Sequence, residues 1–283
     1  MNEEITARGV LESELATWRT SVGNQKVQHA MADAEVVRRF ALAIGADPDV
    51  ERQAPALSHW ALFVDAVPSD KIGADGHPVR GDFLPAVHLP RRMFAGAALE
   101  FHSPLQVGAA VKCVSTIAAV NHKRGQTGDL VFVNVRREIS QQDRLCVSEE
   151  QTFVYRADGE PLKPIREADL QLSDHITWSP GPVDLFRFSA VTFNAHRIHY
   201  DQRYAQEVEG YPDLVVHGPF TAIKLLDYAN RSAGREMRTF AFRGAAPLFV
   251  SQPIRLSAAN GLGSFVATRC DGIKAMTAQV EFA

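Results

Sequence analysis

Between Asn194 and Asp201 the chain sets an amide, two imidazoles and a carboxylate: Asn194, His196, His199 and Asp201. Imidazole is the side chain best placed to take a proton from water near neutral pH and hand one back. The lead-in, Phe188-Ser189-Ala190-Val191-Thr192-Phe193, is largely apolar, so the cluster reads as a site rather than as part of a core. The same residues also suit a hydrophilic turn whose histidines satisfy backbone groups, because short spacings of this kind recur by chance.

A second segment weighs against the turn. Leu214-Val215-Val216-His217-Gly218-Pro219-Phe220 leads into a helical pattern over Thr221–Arg231. Proline suits the first helical position, where its missing N–H costs nothing. Gly218 then falls at the helix entry, where backbone N–H groups are free and the dipole is positive. Such an end can polarise a carbonyl oxygen. The chain therefore offers a proton-transfer cluster followed by an electrophile-stabilising helix tip, at an apolar and so buried helix start.

The run Phe188-Ser-Ala-Val-Thr-Phe-Asn-Ala-His-Arg-Ile-His-Tyr-Asp201 resembles the signature of MaoC-like, hydratase-2-type enoyl-thioester hydratases and dehydratases. The match is fullest with the branch that holds mitochondrial-type 3-hydroxyacyl-thioester dehydratases and itaconyl- or mesaconyl-C4-CoA hydratases. His199 falls on the family's catalytic histidine, and Asn194 on its catalytic aspartate. His196 falls on its asparagine, Arg197 stands where proline is usual, and Phe193 where glycine is usual. A second block, Leu89-Pro-Arg-Arg-Met-Phe-Ala-Gly96, is similar to the same branch, as is the His217-Gly218 pair.

The resemblance implies addition of water across a thioester-conjugated double bond. His199 transfers the proton, Asn194 holds the water without acting as a base, since a carboxamide does not titrate, and the Gly218 helix tip receives the thioester oxygen. The loss of the aspartate leaves open whether His199 works alone or with His196 or Asp201. His217 is expected at the pocket or as a cap partner of the helix. Arg91 and Arg92, beside Phe94, suit a phosphate of the carrier or a distal substrate carboxylate, or else a solvated pair. Lys123 and Arg124 read as solvated loop charges. No metal and no cofactor is expected.

Around these residues the chain has 283 positions, 46% hydrophobic and 22% charged, enough for one large core or two small ones. A net charge of −3 gives no reason to expect nucleic acid or an anionic membrane as partner. No apolar run reaches membrane-spanning length, and Met1–Ile5 lack a secretory or mitochondrial leader pattern. Three cysteines, Cys113, Cys146 and Cys270, without CxxC spacing, fit a reducing cytoplasm.

A faint internal duplication organises the chain. Phe40–Glu51 aligns without gaps to Phe188–His199, placing Ala46 on Asn194 and Glu51 on His199. The first half thus lacks both polar groups. A helix over Ala56–Ala66 and strands over Ala98–Phe101, Ala110–Val120, Leu130–Ile139 and Cys146–Tyr155 follow, with Asn121–Asp129 as a loop. The second half repeats this with strands over Thr239–Arg243, Ile254–Ala258, Ser264–Asp271 and Met276–Phe282. The order of elements is α+β, and the resemblance names it a double hotdog. Residues 1–155 form a non-catalytic, substrate-binding N-terminal hotdog, 156–174 a linker, and 175–283 the catalytic C-terminal hotdog.

The expected activity is that of a lyase acting on a 2-enoyl/3-hydroxyacyl thioester of coenzyme A or acyl carrier protein. Short branched dicarboxylic CoA esters are favoured over fatty 3-hydroxyacyl thioesters. A hotdog thioesterase and a non-catalytic acyl-CoA binding module are the other readings, and a homodimer is left open.

Overall fold

The computed structural model describes residues 9–51, 54–125, 128–171, 174–233, 235, 237–259 and 263–283; the expectation drawn from Met1–Ile5 falls outside them. The first half comprises α1 (Glu12–Arg19), β1 (Gln25–Met31), α2 (Ala34–Ile44), the single turn α3 (His59–Leu62), β2 (Arg91–Phe101), β3 (Ala110–Gly125), β4 (Gly128–Gln141) and β5 (Arg144–Arg156). The second comprises β6 (His175–Trp178), α4 (Pro182–Thr192), α5 (Gln202–Glu207), α6 (Gly218–Ala233), β7 (Met237–Gly244), β8 (Ile254–Ala258), β9 (Ser264–Thr268) and β10 (Lys274–Phe282).

All ten strands join one sheet in the order β1-β3-β4-β5-β2-β7-β10-β9-β8-β6. Outward from the central β2–β7 pair, each side visits its strands in the same relative order. The pair is antiparallel, from Gly96 opposite Arg243 to Glu100 opposite Thr239. Gly96 makes this approach possible: a Cβ there would lie 2.3 Å from the Phe242 carbonyl oxygen. The long helix α6 packs its buried face, Phe220, Ala222, Ile223, Leu225, Leu226 and Ala229, against β2 and β7–β10. A long helix against a wrapped antiparallel sheet, joined edge to edge with a second five-stranded group, is the expected double-hotdog arrangement.

The offset that aligns Phe40 with Phe188 carries Ala34–Ile44 onto Pro182–Thr192, the bounds of α2 and α4. Asp33 caps α2 by accepting from the N–H groups of Glu35 and Val36, and Val37, Phe40, Ala41 and Ile44 face inward at helical spacing. In α4, Pro182 takes the first turn and the Asp184 carboxylate accepts the Gly181 N–H at 2.8 Å. Both helices end on a left-handed residue, Gly45 in α2 and Phe193 in α4. They pack on each other.

Three expectations are corrected. The helix over 56–66 is only the turn His59–Leu62. Leu57 enters it in a left-handed conformation and Phe63 leaves it at ψ 73°, because His59 and Trp60 are tied down on buried Glu149 at 3.2 and 2.9 Å. The loop over 121–129 is largely strand: β3 and β4 keep pairing from Asn121 opposite Phe132 to Gly125 opposite Gly128. β9 stops at Thr268 rather than running to Asp271, as the chain turns through Gly272 at φ 90°. Residues 157–171 carry no helix or strand. They run along the second half, with Leu162 donating to the Gly210 carbonyl, Ala168 to that of Cys270, and Glu167 pairing with Arg255 at 2.8 Å.

Candidate active site

Beyond α4 the chain must turn sharply. Phe193 takes φ 50°, and the Asn194 N–H returns to the Ser189 carbonyl at 2.9 Å. The Asn194 Oδ1 then accepts the His196 N–H at 3.1 Å, and Arg197–His199 form one 3₁₀ turn. Asp201 caps α5 by accepting from Tyr204 N–H, while its other oxygen takes two bonds from Arg197, at 2.7 and 3.1 Å. Asp201 is therefore committed to shaping the segment, and its carboxylate is turned to Arg197 rather than to His199.

His199 is 7% exposed. Its Nδ1 donates to the Val215 carbonyl at 2.7 Å, since that oxygen can only accept. This bond fixes the tautomer and leaves Nε2 as the basic atom, with no partner among the described residues. Burial drives the group down to about 4, against a smaller upward pull from the Val215 bond, so the ring is neutral near pH 7. Its face stacks on His217 at 3.7 Å between centroids, and its edge meets the His196 ring at 5.4 Å. His217 is fully buried, bonded through Nε2 to Ser189 Oγ at 2.8 Å and packed against Phe188. Its backbone carbonyl accepts from Thr221, so it supports the start of α6 through backbone as well as ring.

Gly218 opens α6 directly after His217. A Cβ built there would sit 3.7 Å from the Phe94 carbonyl oxygen, ordinary contact, and Gly218 is not among the residues of positive φ. Neither crowding by the protein nor backbone conformation demands glycine at this position.

A cavity of about 330 Å³ adjoins the segment. Its walls include Asn194, Ala195, Phe193 and Pro219 from the second half, and Trp60, Phe63, Phe94, Arg92, Arg137, Gln151 and Phe153 from the first. It lies beside the short α3, and the chain between α3 and β2 covers it through residues 72–84. His196, His199 and His217 are not lining residues of this cavity.

The two arginines expected at the site part company, because successive residues of a strand face opposite ways. Arg92 lines the cavity and has no carboxylate partner among the described residues. Arg91 points away, paired with Asp158 at 2.8 Å and Glu209 at 3.2 Å, and lies over the Tyr211 ring. Its place in the expected substrate site is thereby corrected: two carboxylates already occupy it. Lys123 and Arg124 are exposed on the β3–β4 hairpin, with Lys123 over the Phe132 ring. Glu51, aligned with His199, is exposed.

Two further residues reach the site from the first half. Asp75 accepts from His77 Nδ1 at 3.1 Å, and the His77 ring lies 4.0 Å from that of His196 and lines the cavity. The dipeptide Asp75-Gly76 announces a tight turn in the sequence, but nothing local says that the turn docks 120 residues downstream.

An α+β chain with this sheet order and a buried histidine at the tip of its long helix is a double-hotdog protein of the MaoC-like class. The model of the hydroxyacyl-thioester dehydratase type 2 family matches residues 57–250, and the chain belongs to that family. It is 45% identical over 239 residues to the mesaconyl-C(4)-CoA hydratase of Chloroflexus aurantiacus, covering 83% of this chain and 85% of that protein. Its fold is similar to the crystal structure of HtdX of Mycobacterium tuberculosis, with a TM-score of 0.66, 21% identity, and coverage of 92% of this chain and 100% of that one. It is also similar to another Mycobacterium tuberculosis protein described as a double hotdog, with a TM-score of 0.53, 13% identity, and coverage of 92% and 95%.

Proposed function

We propose that the protein is a hydro-lyase that adds water to, and removes it from, a 2-enoyl/3-hydroxyacyl thioester. The observation that carries the reading is His199: a buried, neutral imidazole whose Nδ1 is locked on a backbone carbonyl and whose Nε2 is left bare. In hydration, water held at Asn194 gives a proton to Nε2 as its oxygen bonds to C3. The displaced electron pair moves toward the thioester oxygen, which meets the free N–H groups at the start of α6. Glycine at position 218 lets that oxygen approach closely. Asp201, the carboxylate of the histidine segment, is engaged by Arg197.

The N-terminal half supplies cavity wall and the C-terminal half the His199–Asn194–Gly218 set. The substrate is a short CoA ester with a distal carboxylate, as the name of the Chloroflexus relative suggests. Arg92 is the group to receive it: Lys26 is paired with Asp65, Arg137 with Glu149, and Arg80 donates to the carbonyls of Val87, Leu89 and Pro90. Three free, buried cysteines support a reducing, cytoplasmic setting.

The test is a panel of enoyl-CoA esters with and without a distal carboxylate, followed by enone absorbance and by free thiol. Loss of the enone without thiol release is expected, fastest for the dicarboxylic esters. Thiol release would establish a thioesterase, and neither signal a binding module. Arg92→Met should raise KM for the dicarboxylic ester about 10–100-fold, the worth of a charge-assisted hydrogen bond, and leave that for a fatty enoyl ester unchanged.

A further inference from the structure

A site that adds water with a single buried histidine is short of one group. The proton leaving water needs a base, C2 needs an acid, and Asn194 can be neither. Burial also limits which imidazole can carry charge, because an unpaired buried cation is costly. Of the four imidazoles gathered here, His196, His199 and His217 have no carboxylate partner among the described residues, and His77 has one.

The geometry around His77 is built. The turn Gly73–His77 closes through Gly73 N–H to the His77 carbonyl at 2.7 Å. Asp75 accepts from both the N–H and the Nδ1 of His77, at 3.0 and 3.1 Å, which aims the ring and leaves Nε2 unpaired among the described residues. The turn is pinned to the histidine segment: Arg197 donates its backbone N–H to the Asp75 carbonyl at 2.9 Å and its Nη1 to the Ala74 carbonyl at 3.0 Å. Gly76 lies so close that a Cβ would stand 1.8 Å from the Ala195 carbonyl oxygen. His77 therefore shares one cavity wall with Asn194, and its ring meets His196, which in turn meets His199.

We propose that His77, aimed and charge-balanced by Asp75, is the second catalytic imidazole, delivering the proton to C2 while His199 takes one from water. The proposal rests on the hydro-lyase reading above. In hydration the water oxygen bonds to C3, its proton passes to His199 Nε2, and the C2–C3 π pair moves into the enolate. That pair then forms the C2–H bond with the proton on His77 Nε2, leaving His77 neutral beside Asp75. His199 returns its proton to solvent and His77 takes one up, so nothing is gained or lost overall. In dehydration the steps reverse, with neutral His77 removing the C2 proton. Asp75 is a positioning residue, acting only through His77.

The charged and titratable groups facing His77 are Asp75, His196, His199, Arg92 and Arg80. Burial lowers His77, and Asp75 pulls it back up. Removing the Asp75 charge must therefore lower it further.

The experiment compares wild type, His77→Gln, His77→Ala and Asp75→Asn on the best ester of the panel, with kcat, KM, Tm and pH profiles. His77→Gln should lower kcat about 10²–10⁴-fold with little change in KM or Tm, and the basic limb of the hydration profile should vanish. Asp75→Asn should move that limb to lower pH. His77→Ala should regain turnover with added imidazole. A His77→Gln variant within about threefold of wild-type kcat would overturn the proposal. So would a His77→Ala variant that imidazole does not rescue, combined with an unshifted Asp75→Asn profile. The nitrogen and oxygen atoms of Asp75, His77 and His196 also lie within 4.8 Å of one another; activity lost to a chelator and restored by zinc would assign the cluster to a metal and sink the acid role. A wild type inactive on every ester refutes the hydro-lyase reading and this proposal together, whereas an active wild type with an unaffected His77→Gln refutes this one alone.

Discussion

Replacing Gly76 by alanine tests whether the loop from the first half truly seats against the histidine segment of the second. An ordinary Cβ contact begins near 3.4 Å, and the alanine methyl would start at 1.8 Å from a backbone oxygen that cannot swing aside. One of the two segments must retreat by well over an ångström. The Arg197 N–H to Asp75 carbonyl bond, now 2.9 Å, would then open. Alanine at φ 89° adds about 1–2 kcal/mol of backbone strain, and the lost bond about 0.5–1.5 kcal/mol. Together these come to roughly 1.5–3.5 kcal/mol. At ~2.1 cal/mol/K per residue of unfolding entropy, this lowers Tm by about 3–6 °C for a chain of this length. Turnover should suffer more, because ångström-scale misplacement of reacting groups costs about 100-fold. Gly108→Ala is the control: φ there is 83° with nothing within 4 Å, so it carries the strain without the collision. Differential scanning fluorimetry and turnover per folded molecule on both variants decide the matter. If Gly76→Ala matches Gly108→Ala in both readouts, the two segments are not in contact and the composite site is wrong.

Other substitutions bear on single groups. His199→Ala should lose about 10²–10⁴-fold in kcat at nearly unchanged Tm, and near wild-type turnover would remove it from the mechanism. Asn194→Asp should remain measurably active while Asn194→Ala loses far more; equal rates for Asn194→Ala and wild type would place Asn194 outside the site. Burial pushes Glu149 up, but the His59 bond and the Arg137 charge together outweigh it and hold the carboxyl down to about 2, below its ordinary 4.5. Its contribution to stability is thus present above pH 4.5 and is lost as pH falls toward 2, so Tm should decline across that window. Glu149→Gln should flatten the decline while starting about 3–5 kcal/mol less stable, since Arg137 is left buried without its partner; an unchanged acid limb of Tm would contradict the assignment.

What could be read from the sequence was what is local. Alternation and turn residues located β3, β4, β5 and β8, whereas the Phe40/Phe188 alignment pointed to later helices and not to the two, Ala34–Ile44 and Pro182–Thr192, in which Phe40 and Phe188 lie. β1 and β6 carry weak local signals: β1 is exposed on alternate residues, and β6 has only four residues. Asp33, the N-cap of α2, and Pro182, in the first turn of α4, are local signals of the two helix starts. At the site, His199, Asn194 and Gly218 stand out through their spacing. The side of β2 that each arginine faces depends on the carboxylates waiting behind Arg91, at positions 158 and 209, which no local pattern connects. His77 was illegible for the same reason, as its significance comes from a turn meeting a distant segment.

The shortness of α3 can be restated as volume. Four helical residues stand in the first half where α6 has 16 in the second. Twelve residues of helix, at 1.5 Å each and about 10 Å across, would fill roughly 1,400 Å³. A cavity of about 330 Å³ lies beside α3, walled in part by Phe63, His77 and Leu84 of the connection that follows it. On the proposed reading, the acyl group's permitted size is set by this loop together with the strand residues Arg92, Phe94 and Phe153 that share the wall. Loops change length at small thermodynamic cost. On the proposed reading, a change in the length of this one connection would alter the acyl chain the cavity takes and would move Asp75 and His77 with it, while Asn194 and His199 stay on the second half.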